Sequence, residues 1–324
     1  MRVLVTGGAG YIGSHTLKAL ASEGHQPVVF DNFSTGHRWA VRWGQVEEGD
    51  LADRERIRAV LQKHSVEAVV HFAGSAYVGE SVSNPAWYYR NNFVNTLNLL
   101  EEMNAARVKR IIFSSSCTVY GIPEALPIPE TAKLDPISPY GESKRFIERM
   151  LHSFEAAYGL QWLALRYFNA AGADPEGDLG EQHDPETHLI PLAVLAALGK
   201  IPQFSMFGVD YETPDGTAVR DFIHVTDLAQ AHVAALRFLS EHGTSMPLNL
   251  ATGVGESVGS IIRAVERLSG RPIPVERCPR RAGDPAVLIA DPSRASELLN
   301  WQPRYGIDTI LQTAIRWHSR NDSK

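Results

Sequence analysis

The chain is poor in cysteine, has no long apolar run and carries no excess of positive charge, and each of these absences excludes a class of protein. Two cysteines among 324 residues, Cys117 and Cys278, are too few for a disulfide framework. The twelve histidines are scattered, and no Cys/His cluster has the spacing of a zinc site, so we expect no metal. A formal net charge of -6 does not favour nucleic acid as a partner. With no N-terminal signal segment and no apolar run of membrane length, we expect a cytoplasmic protein with no membrane contact.

The first half of the chain alternates short apolar runs with helical patterns. Residues 3–5, 68–72 and 110–113 have the pattern of buried strands. Residues 92–107 and 140–158 have the pattern of helices. This alternation predicts an α/β fold with a doubly wound parallel sheet of the Rossmann type, covered by helices on both faces.

From about residue 170 the alternation loosens. Residues 174–186 are rich in Gly, Asp, Pro and Glu and are predicted to form a surface loop. Helical patterns return at 189–198, 225–239, 257–269 and 308–318. We therefore divide the chain into a Rossmann domain at 1–169 and a smaller mixed α/β domain at 170–324, with some segments expected to cross back. The second domain should cap the carboxyl edge of the sheet, where open α/β folds bind ligands.

A glycine motif follows the first predicted strand and opens a helix. Gly8, Gly10 and Gly13 satisfy the dinucleotide-binding fingerprint, and Gly7, Gly10 and Gly13 satisfy its wider variant. Such glycines let the backbone turn tightly and approach a pyrophosphate at the helix N-terminus. Asp31 closes the second strand, where a carboxylate can bind both ribose hydroxyls and would repel a 2′-phosphate. The motif therefore predicts NAD rather than NADP.

Two further strand ends offer residues suited to a cofactor. Asp50 follows the third strand and could accept a hydrogen bond from the adenine amino group, or could cap the next helix, or both. Phe72, Ala73 and Gly74 follow the fourth strand, and the two small residues leave room for a cofactor to lie across the sheet edge.

A tyrosine and a lysine four residues apart open the long helix at 140–158. Tyr140 and Lys144 share one helical face, and an ammonium fixed beside a phenol lowers a pKa that is otherwise about 10. The result would be a base usable near neutral pH. A tyrosine and a lysine at this spacing occur by chance in many helices. A catalytic role is therefore predicted only if residues at the neighbouring strand ends complete a site. Of three serines that end the fifth strand, Ser116 is predicted to join the site, whereas Ser114 and Ser115 could equally be loop residues.

With these motifs the chain resembles the extended short-chain dehydrogenase/reductase family, and within it the UDP-hexose 4-epimerases. The resemblance covers nearly the whole chain, and the motifs of the second half are the more specific ones. The motifs that carry it, besides the glycine loop and Asp31-Asn32, are HFAG at 71–74, VGES at 78–81, YYRNN at 88–92, SSSCTVYG at 114–121, SPYGESK at 138–144, LRYFN at 165–169, RDFIHV at 220–225 and RRAGD at 280–284.

The resemblance implies a reversible inversion at C4 of the hexose in UDP-glucose and UDP-galactose, through a transient 4-keto sugar and with NAD regenerated. It implies that Tyr140 removes the proton of the 4-hydroxyl and that Ser116 hydrogen-bonds the reacting oxygen. Lys144 would hold the nicotinamide ribose and lower the pKa of Tyr140, aided by the positive nicotinamide. The first domain would then bind NAD and the second domain the UDP-sugar.

The resemblance also assigns contacts residue by residue. The implied cofactor contacts are Gly7, Gly10, Tyr11, Ile12, Gly13, Asp31, Asn32, Asp50, Leu51, Phe72, Ala73, Gly74, Asn91, Ser114, Tyr140, Lys144 and Phe168. The implied substrate contacts are Ser116, Tyr140, Asn169, Leu189, Phe207, Arg220, Arg281, Asp284 and Leu288. Arg220 and Arg281 suit the diphosphate, because a guanidinium fork matches phosphate oxygens. Leu189 and Phe207 would flank uracil, although as plain apolar residues either could belong to the core.

Two positions depart from the family pattern. Ala76 stands where some relatives place a lysine against the cofactor phosphates, so NAD could be held less tightly. Leu288 stands where relatives limited to plain hexoses carry a tyrosine and relatives that accept N-acetylated sugars carry a small residue. We therefore expect good turnover of UDP-glucose and weak turnover of UDP-GlcNAc.

Alternative functions remain open at this point. The 4,6-dehydratases of the family carry an Asp-Glu pair where this chain has Cys117-Thr118, which argues against elimination of water. A 4-epimerase for UDP-GlcNAc or UDP-GalNAc, a UDP-pentose or a UDP-uronate is the closest alternative, and a non-catalytic NAD-binding regulator is a more distant one. The family also implies a homodimer through the helices at 92–107 and 140–158. Phe146, Met150, Phe154 and Ala157 could serve that interface or face the core.

Overall fold

The structure is a computed structural model that describes residues 1–281 and 283–320. Its strands, in chain order, are β1 (Arg2–Thr6), β2 (Gln26–Asp31), β3 (Gln45–Glu48), β4 (Ala68–His71), β5 (Arg110–Ser114), β6 (Gln161–Tyr167), β7 (Asn169–Ala171), β8 (Phe204–Phe207), β9 (Val219–His224), β10 (Met246–Leu250), β11 (Gly255–Ser257), β12 (Val275–Cys278) and β13 (Val287–Leu288). Its α-helices are α1 (Tyr11–Ser22), α2 (Arg54–Lys63), α3 (Val78–Ser83), α4 (Pro85–Tyr88), α5 (Asn95–Ala105), α6 (Pro139–Tyr158), α7 (Leu189–Ala197), α8 (Val225–His242), α9 (Val258–Ser269), α10 (Ser293–Leu299) and α11 (Ile307–Arg320).

The main sheet has seven strands, all parallel, in the order β10-β6-β5-β4-β1-β2-β3. Alternate residues of its central strand point to opposite faces. Val3 and Val5 enter one buried cluster and Leu4 enters the other. Because both faces are covered, the strand is an unbroken apolar run rather than an alternating one.

Helices cover the main sheet on both sides. Leu17 of α1 and Leu236 of α8 belong to the cluster on one face, whereas Ile57 of α2, Leu99 of α5 and Leu151 of α6 belong to the cluster on the other. Burying one such side chain contributes about 1.5–3 kcal/mol. The predicted doubly wound α/β fold is therefore confirmed.

Residues from the second half form a smaller assembly around β9. This strand pairs with β7, β11 and β13, and a separate parallel pair joins β8 to β12. Helices α7, α9 and α11 pack together around a third buried cluster, which includes Val194, Ile261 and Leu311. None of the helices formed by residues 1–281 and 283–320 combines the length and the apolar character that a membrane crossing requires.

Two elements of the second half return to the main sheet. Strand β10 pairs in parallel with β6, with Met246 opposite Leu163 and Leu250 opposite Tyr167. Helix α8 packs against α1 on the face of the same sheet. A division of the chain near residue 169 stays a prediction about domains, and these crossings show how closely the two halves are interleaved.

Helix α6 begins and ends with strong local signals. Ser138 caps its first turn by accepting a hydrogen bond of 3.2 Å from the Gly141 amide, and Pro139 occupies the first helical position. Gly159 ends the helix in the left-handed conformation, with φ of 69°. Tyr140 and Lys144 are thereby fixed in the first two turns.

Candidate active site

The glycine loop between β1 and α1 leaves an open cradle at the edge of the main sheet. Gly7 has φ of +70°, and a Cβ there would lie 2.6 Å from the Ala73 amide nitrogen. A Cβ at Gly13 would overlap the Gly7 carbonyl oxygen. Because α1 begins at Tyr11, its first amide groups point toward this cradle with no partner in the helix. The residues present therefore fit the pyrophosphate of a dinucleotide.

Asp31 supports the glycine loop from the end of β2. One of its carboxylate oxygens accepts a hydrogen bond of 2.9 Å from the Ala9 amide, and the other accepts one of 2.8 Å from the Phe33 amide. Burial raises the pKa of Asp31, and these two hydrogen bonds oppose that effect. Each oxygen keeps a further lone pair, so the carboxylate could accept ribose hydroxyls while it holds the loop.

The other predicted cofactor residues lie at neighbouring positions along the same edge. Asn32 donates a hydrogen bond of 2.7 Å to Asp50, which joins the ends of β2 and β3. The amides of Phe72 and Ala73 both donate to the Thr6 carbonyl oxygen, at 2.9 and 3.1 Å. The end of β4 is thereby fixed beside the glycine loop.

The amide side chains that follow α4 also turn toward this edge. Asn91 donates a hydrogen bond of 3.0 Å to the Ser75 hydroxyl. The carboxamide of Asn92 lies 3.2 Å from where a Cβ on Gly74 would be, and it donates to the Ser143 hydroxyl at 3.2 Å. A short π-helical segment, Tyr89–Val94, places both asparagines before α5 begins.

The side chains of three residues predicted to contact the cofactor are engaged in contacts within the protein. The Leu51 side chain is buried in the core, so only its backbone could contact a ligand at the edge. The Ile12 side chain packs against the opposite cluster. The Tyr11 hydroxyl donates a hydrogen bond of 2.6 Å to the Gly172 carbonyl oxygen, which joins the two halves of the chain.

Ser116 and Tyr140 are brought together where β5 meets α6. The Ser116 hydroxyl oxygen accepts hydrogen bonds from the Thr118 amide, at 3.2 Å, and from the Thr118 hydroxyl, at 3.0 Å. Burial raises the pKa of Tyr140 to about 12, and a hydrogen bond with Ser116 lowers it. The Tyr140 ring also meets the Tyr88 ring edge-to-face, with 6.4 Å between centroids.

Lys144 lies one turn further along α6, beneath the tyrosine. Its side chain is buried, and its ammonium donates a hydrogen bond of 2.8 Å to the Ser114 carbonyl oxygen. The same nitrogen lies 5.0 Å from the Phe113 ring centroid and 5.7 Å from that of Tyr140. Burial lowers the pKa of Lys144 to about 8, and the negative charge of Glu148 opposes this. The residue is therefore mainly an ammonium at pH 7.

The prediction that Lys144, aided by the positive nicotinamide, lowers the pKa of Tyr140 concerns the protein with NAD bound and stays a prediction. In the protein without a ligand, desolvation dominates and raises that pKa to about 12. The ammonium is held by the Ser114 carbonyl oxygen and makes no hydrogen bond with the phenol. A phenolate at neutral pH therefore depends on a positive charge that a ligand brings.

A buried ion pair behind Lys144 was missed by the sequence reasoning. Glu148 accepts two hydrogen bonds from one edge of the Arg166 guanidinium, from Nε at 2.9 Å and Nη2 at 2.5 Å, and a third from the Ser115 hydroxyl at 2.6 Å. Arg166 also donates to the Tyr120 hydroxyl at 3.0 Å. The four-residue spacing of Lys144 and Glu148 could have placed this carboxylate on the same helical face as the lysine, but no signal in the sequence pairs it with Arg166.

Arg220, predicted to bind the diphosphate, lies on β9 and contacts Asp284, predicted to bind the uridine ribose. Arg220 forms an ion pair of 2.5 Å with Asp284 and donates a hydrogen bond of 2.8 Å to the Val219 carbonyl oxygen. Burial raises the pKa of the Cys117 thiol to about 12, and the positive charge of Arg220 opposes this. The Arg281 guanidinium lies 4.2 Å from the Phe207 ring centroid. Of the RRAGD motif, only Ala282 lies outside the described residues.

The remaining residues predicted to bind the substrate lie in two places, near Cys117 and in the core of the second half. Leu288 and Phe168 pack against a small buried cluster that includes Cys117, beside the catalytic edge. Leu189 is the first residue of α7 and packs, partly buried, against the core of the second half. A place in the core was the alternative to its predicted contact with uracil. The Asn169 side-chain nitrogen donates a hydrogen bond of 2.9 Å to the Asp221 carbonyl oxygen. The carboxamide oxygen takes no part in this bond.

The histidines look scattered in the sequence, but two of them lie together with two glutamates in a second group of titratable side chains. Glu181, His183, Glu186 and His188 come together in the loop between β7 and α7. The signal was their close spacing over eight residues, inside a segment predicted only as a surface loop.

Known proteins resemble the chain over nearly its whole length. The NAD dependent epimerase/dehydratase family matches residues 3–251. A UDP-glucose 4-epimerase of Rhizobium leguminosarum bv. trifolii is 51% identical over 320 residues, which cover 99% of this chain and 98% of that protein. The crystal structure of UDP-glucose 4-epimerase from Brucella ovis in complex with NAD has a TM-score of 0.95, with 54% identity and 97% of each chain covered. That of UDP-glucose 4-epimerase from Bifidobacterium longum, in complex with NAD+ and UDP, has a TM-score of 0.94, with 39% identity and 99% of each chain covered. The fold, the glycine loop and these matches establish that the chain belongs to the NAD dependent epimerase/dehydratase family.

Proposed function

We propose that this chain catalyses the NAD-dependent, reversible epimerisation of UDP-glucose and UDP-galactose at C4, through a transient 4-keto sugar. The observation that carries the proposal is the placement of Tyr140 in the first turn of α6 near Ser116, with the buried Lys144 one turn further along and held by the Ser114 carbonyl oxygen. Relatives named UDP-glucose 4-epimerase support the choice of substrate, since they reach 51% identity over 99% of the chain.

NAD would be held at the carboxyl edge of the main sheet. The glycine loop would take its pyrophosphate, Asp31 its adenosine ribose and Lys144 its nicotinamide ribose. We favour NAD over NADP because the Asp31 carboxylate would repel a 2′-phosphate. Bound NAD supplies a hydride acceptor and donor, and its oxidised ring adds a positive charge. Lys144 uses one N–H donor on the Ser114 carbonyl oxygen, which leaves two for a ribose.

Tyr140 would move the proton of the 4-hydroxyl group. With its pKa at about 12 in the protein alone, it must lose the proton in response to added positive charge before it can act as the base. Ser116 is suited to assist, because its oxygen already accepts two hydrogen bonds from Thr118. Its own hydroxyl hydrogen is then available to the phenolate oxygen or to the reacting oxygen of the sugar.

The UDP end would lie on the second half of the chain, in the domain proposed for residues 170–324. We assign Arg220 and Arg281 to the diphosphate and Asp284 to the uridine ribose. In the structure Asp284 forms an ion pair with Arg220, so the carboxylate orients the guanidinium that is meant to bind phosphate. Leu189 and Phe207 would then flank the uracil. The remaining assigned contacts are Asn169 and Phe168, which would touch the sugar.

The proposed assembly is a homodimer that works in the cytoplasm in galactose metabolism. Its interface would involve α5, α6 and the segment before α5. Large apolar side chains there are partly open to solvent, with exposed fractions of 37% for Phe146, 44% for Val94 and 50% for Tyr158. The molar mass in solution would test this, with twice 35.7 kDa expected.

The function is tested by incubating the purified protein with a panel of UDP-sugars without added NAD and separating the products. We expect UDP-glucose and UDP-galactose to interconvert, because the cofactor is regenerated in each cycle and should stay bound. Conversion of only a UDP-pentose, a UDP-uronate or an N-acetylated UDP-hexose would favour the other 4-epimerases. No conversion of any of them, even after NAD is added, would favour a non-catalytic NAD-binding regulator.

A further inference from the structure

We propose that Glu181, His183, Glu186 and His188 bind one divalent cation of the zinc type. These four side chains belong to the loop between β7 and α7, and they form what we call the Glu/His cluster. Each offers one ligand atom, and all four atoms lie within 4.8 Å of one another. The cluster is separate from the residues assigned above to catalysis.

The nitrogen–oxygen distances within the cluster are close to the separation of ligand atoms around a zinc ion. Zinc bonds of about 2.0–2.1 Å at tetrahedral angles place the ligand atoms about 3.3 Å apart. His183 Nδ1 lies 3.4 Å from an oxygen of Glu181 and 3.4 Å from one of Glu186. His188 Nδ1 lies 3.1 Å from the same oxygen of Glu181 and 2.9 Å from the other oxygen of Glu186. Both imidazoles therefore present the same type of nitrogen to the two carboxylates.

Glu181 gives an independent sign of a ligand. Its residue is only 3% exposed, and its Oε1 atom has no hydrogen-bond partner among the described residues. The Nδ1 atoms of His183 and His188 lie 3.4 and 3.1 Å from this oxygen, at ion-pair distance. A buried carboxylate oxygen that makes no hydrogen bond is costly, and a cation at the centre of the cluster would satisfy it.

The donor set indicates the class of metal. Two imidazole nitrogens with two carboxylate oxygens suit zinc and the late first-row divalent ions, whereas Mg²⁺ and Ca²⁺ prefer oxygen ligands alone. A second acidic group nearby has no such need. Asp174, Glu176 and Asp178 all pair with Lys18, at 2.9, 2.7 and 3.1 Å, and Asp178 also pairs with Arg42, so each carboxylate already has a cationic partner.

The position of the cluster indicates a structural role. The backbone around it is held on one side by Trp317, whose indole donates a hydrogen bond of 3.0 Å to the Glu181 carbonyl oxygen. On the other side the His183 ring lies 6.4 Å from the rings of both Tyr11 and Tyr77, which flank the cofactor edge. Because the protein supplies all four ligands, the metal would fix this loop against the cofactor edge and keep no open position for catalysis.

The test uses the full-length protein, stripped with a chelator and then dialysed against zinc. We expect about one zinc per chain by elemental analysis, and with Co²⁺ instead we expect the intense visible absorption of a tetrahedral site. Glu181→Gln removes one ligand charge at nearly constant volume and should weaken zinc binding by at least about 100-fold. Free zinc at about 100 times its Kd should raise the wild-type Tm by about 4 °C and leave this variant unchanged.

His188→Gln provides a second variant in case Glu181→Gln does not fold, because the His188 side chain is 45% exposed and should tolerate replacement. His152→Gln changes an exposed histidine on α6 and is the matched control, with zinc binding expected to stay at the wild-type level. Failure of the wild type to retain zinc would overturn the proposal. So would equal zinc affinity in the wild type, Glu181→Gln and His188→Gln, because the metal would then bind elsewhere.

Discussion

The Lys144 ammonium donates a hydrogen bond of 2.8 Å to the carbonyl oxygen of Ser114, the last residue of β5. This contact joins the helix that carries Tyr140 to the strand that leads to Ser116. It also removes a cation from water, with the Glu148 carboxylate as the charge that opposes the effect of burial. The stability of the protein should therefore depend on the protonation of this one lysine.

We expect the free energy of unfolding to rise, relative to that of Lys144→Met, as pH increases from 8 to 10.5. Burial lowers the pKa of Lys144 from 10.5 to about 8. Below pH 8 the lysine is protonated in both states and the cost of burying the ammonium is fully present. Between the two values the unfolded chain binds more protons, so the wild type gains stability with pH. Urea titrations across this range should show a relative gain of about 3 kcal/mol.

Lys63→Met is the matched control for this experiment, because the Lys63 side chain is 64% exposed. Its stability difference from the wild type should not follow the same rise. A difference for Lys144→Met that stays constant from pH 7 to pH 10.5 would contradict the assigned effect of burial.

Tyr140→Phe should retain NAD and lose nearly all epimerisation. The substitution keeps the ring and its packing against Tyr88 but removes the group proposed to move the proton. Loss of a general base typically lowers the rate by about 100- to 10,000-fold. The turnover number and the nucleotide released by acid would be measured on the same preparation. Tyr158→Phe alters an exposed tyrosine at the end of the same helix and should behave as the wild type, whereas full turnover by Tyr140→Phe would exclude the proposed mechanism.

Glu148→Gln should destabilise the fold by about 3–5 kcal/mol, because it leaves the Arg166 guanidinium buried without its counter-charge. Denaturant unfolding would measure the change. Glu48→Gln removes one partner of the exposed pair with Arg38 and should have little effect. The double variant Glu148→Leu, Arg166→Met should recover part of the loss, since the guanidinium is removed with its partner while the Lys144 ammonium still loses the Glu148 charge. An equally small effect of Glu148→Gln and Glu48→Gln would show that the buried pair does not contribute as inferred.

Leu288 should limit the size of the sugar, provided that the proposed function holds. It packs beside Phe168 against the cluster that contains Cys117, next to Ser116. Leu288→Ala should raise the ratio of kcat/KM for UDP-GlcNAc to that for UDP-glucose by about 10- to 100-fold, and Leu288→Tyr should lower it. Val287→Ala is the control, because successive side chains of a strand point to opposite faces. Equal wild-type rates on both sugars, or none on UDP-GlcNAc, would show that Leu288 does not set the limit.

Local signals explain why much of the main sheet could be predicted. Apolar runs identified β1, β4 and β5, and a serine cap with a closing glycine bounds α6. Strand β10 was not predicted, because Pro247 within it argues against a strand and its apolar run is short. The structure resolves this conflict by placing β10 at the edge of the sheet, where a missing N–H donor is tolerated.

The site was predicted where chain order determines position and missed where distant residues meet. The carboxyl ends of parallel strands must share one edge, so Asp31 and Ser116 could be assigned to it from the sequence. The pairing of Glu148 with Arg166 depends on how α6 lies over β6, which the sequence does not state. The burial of Tyr140, which raises its pKa in the protein without a ligand, is a property of the assembled fold that the sequence does not state.

The late arrival of β10 has a consequence for the chain as it leaves the ribosome. Strand β6 ends at Tyr167, yet its partner begins only at Met246, so one edge of the sheet stays open while the intervening chain is synthesised. Open edges recruit other strands, and distant pairings form slowly. In a fragment that stopped at residue 169, β6 would have no β10 to pair with, and its edge would stay open. The nucleotide-binding half is thus finished by the half that follows it, and protection from aggregation during synthesis depends on how soon the last strand docks.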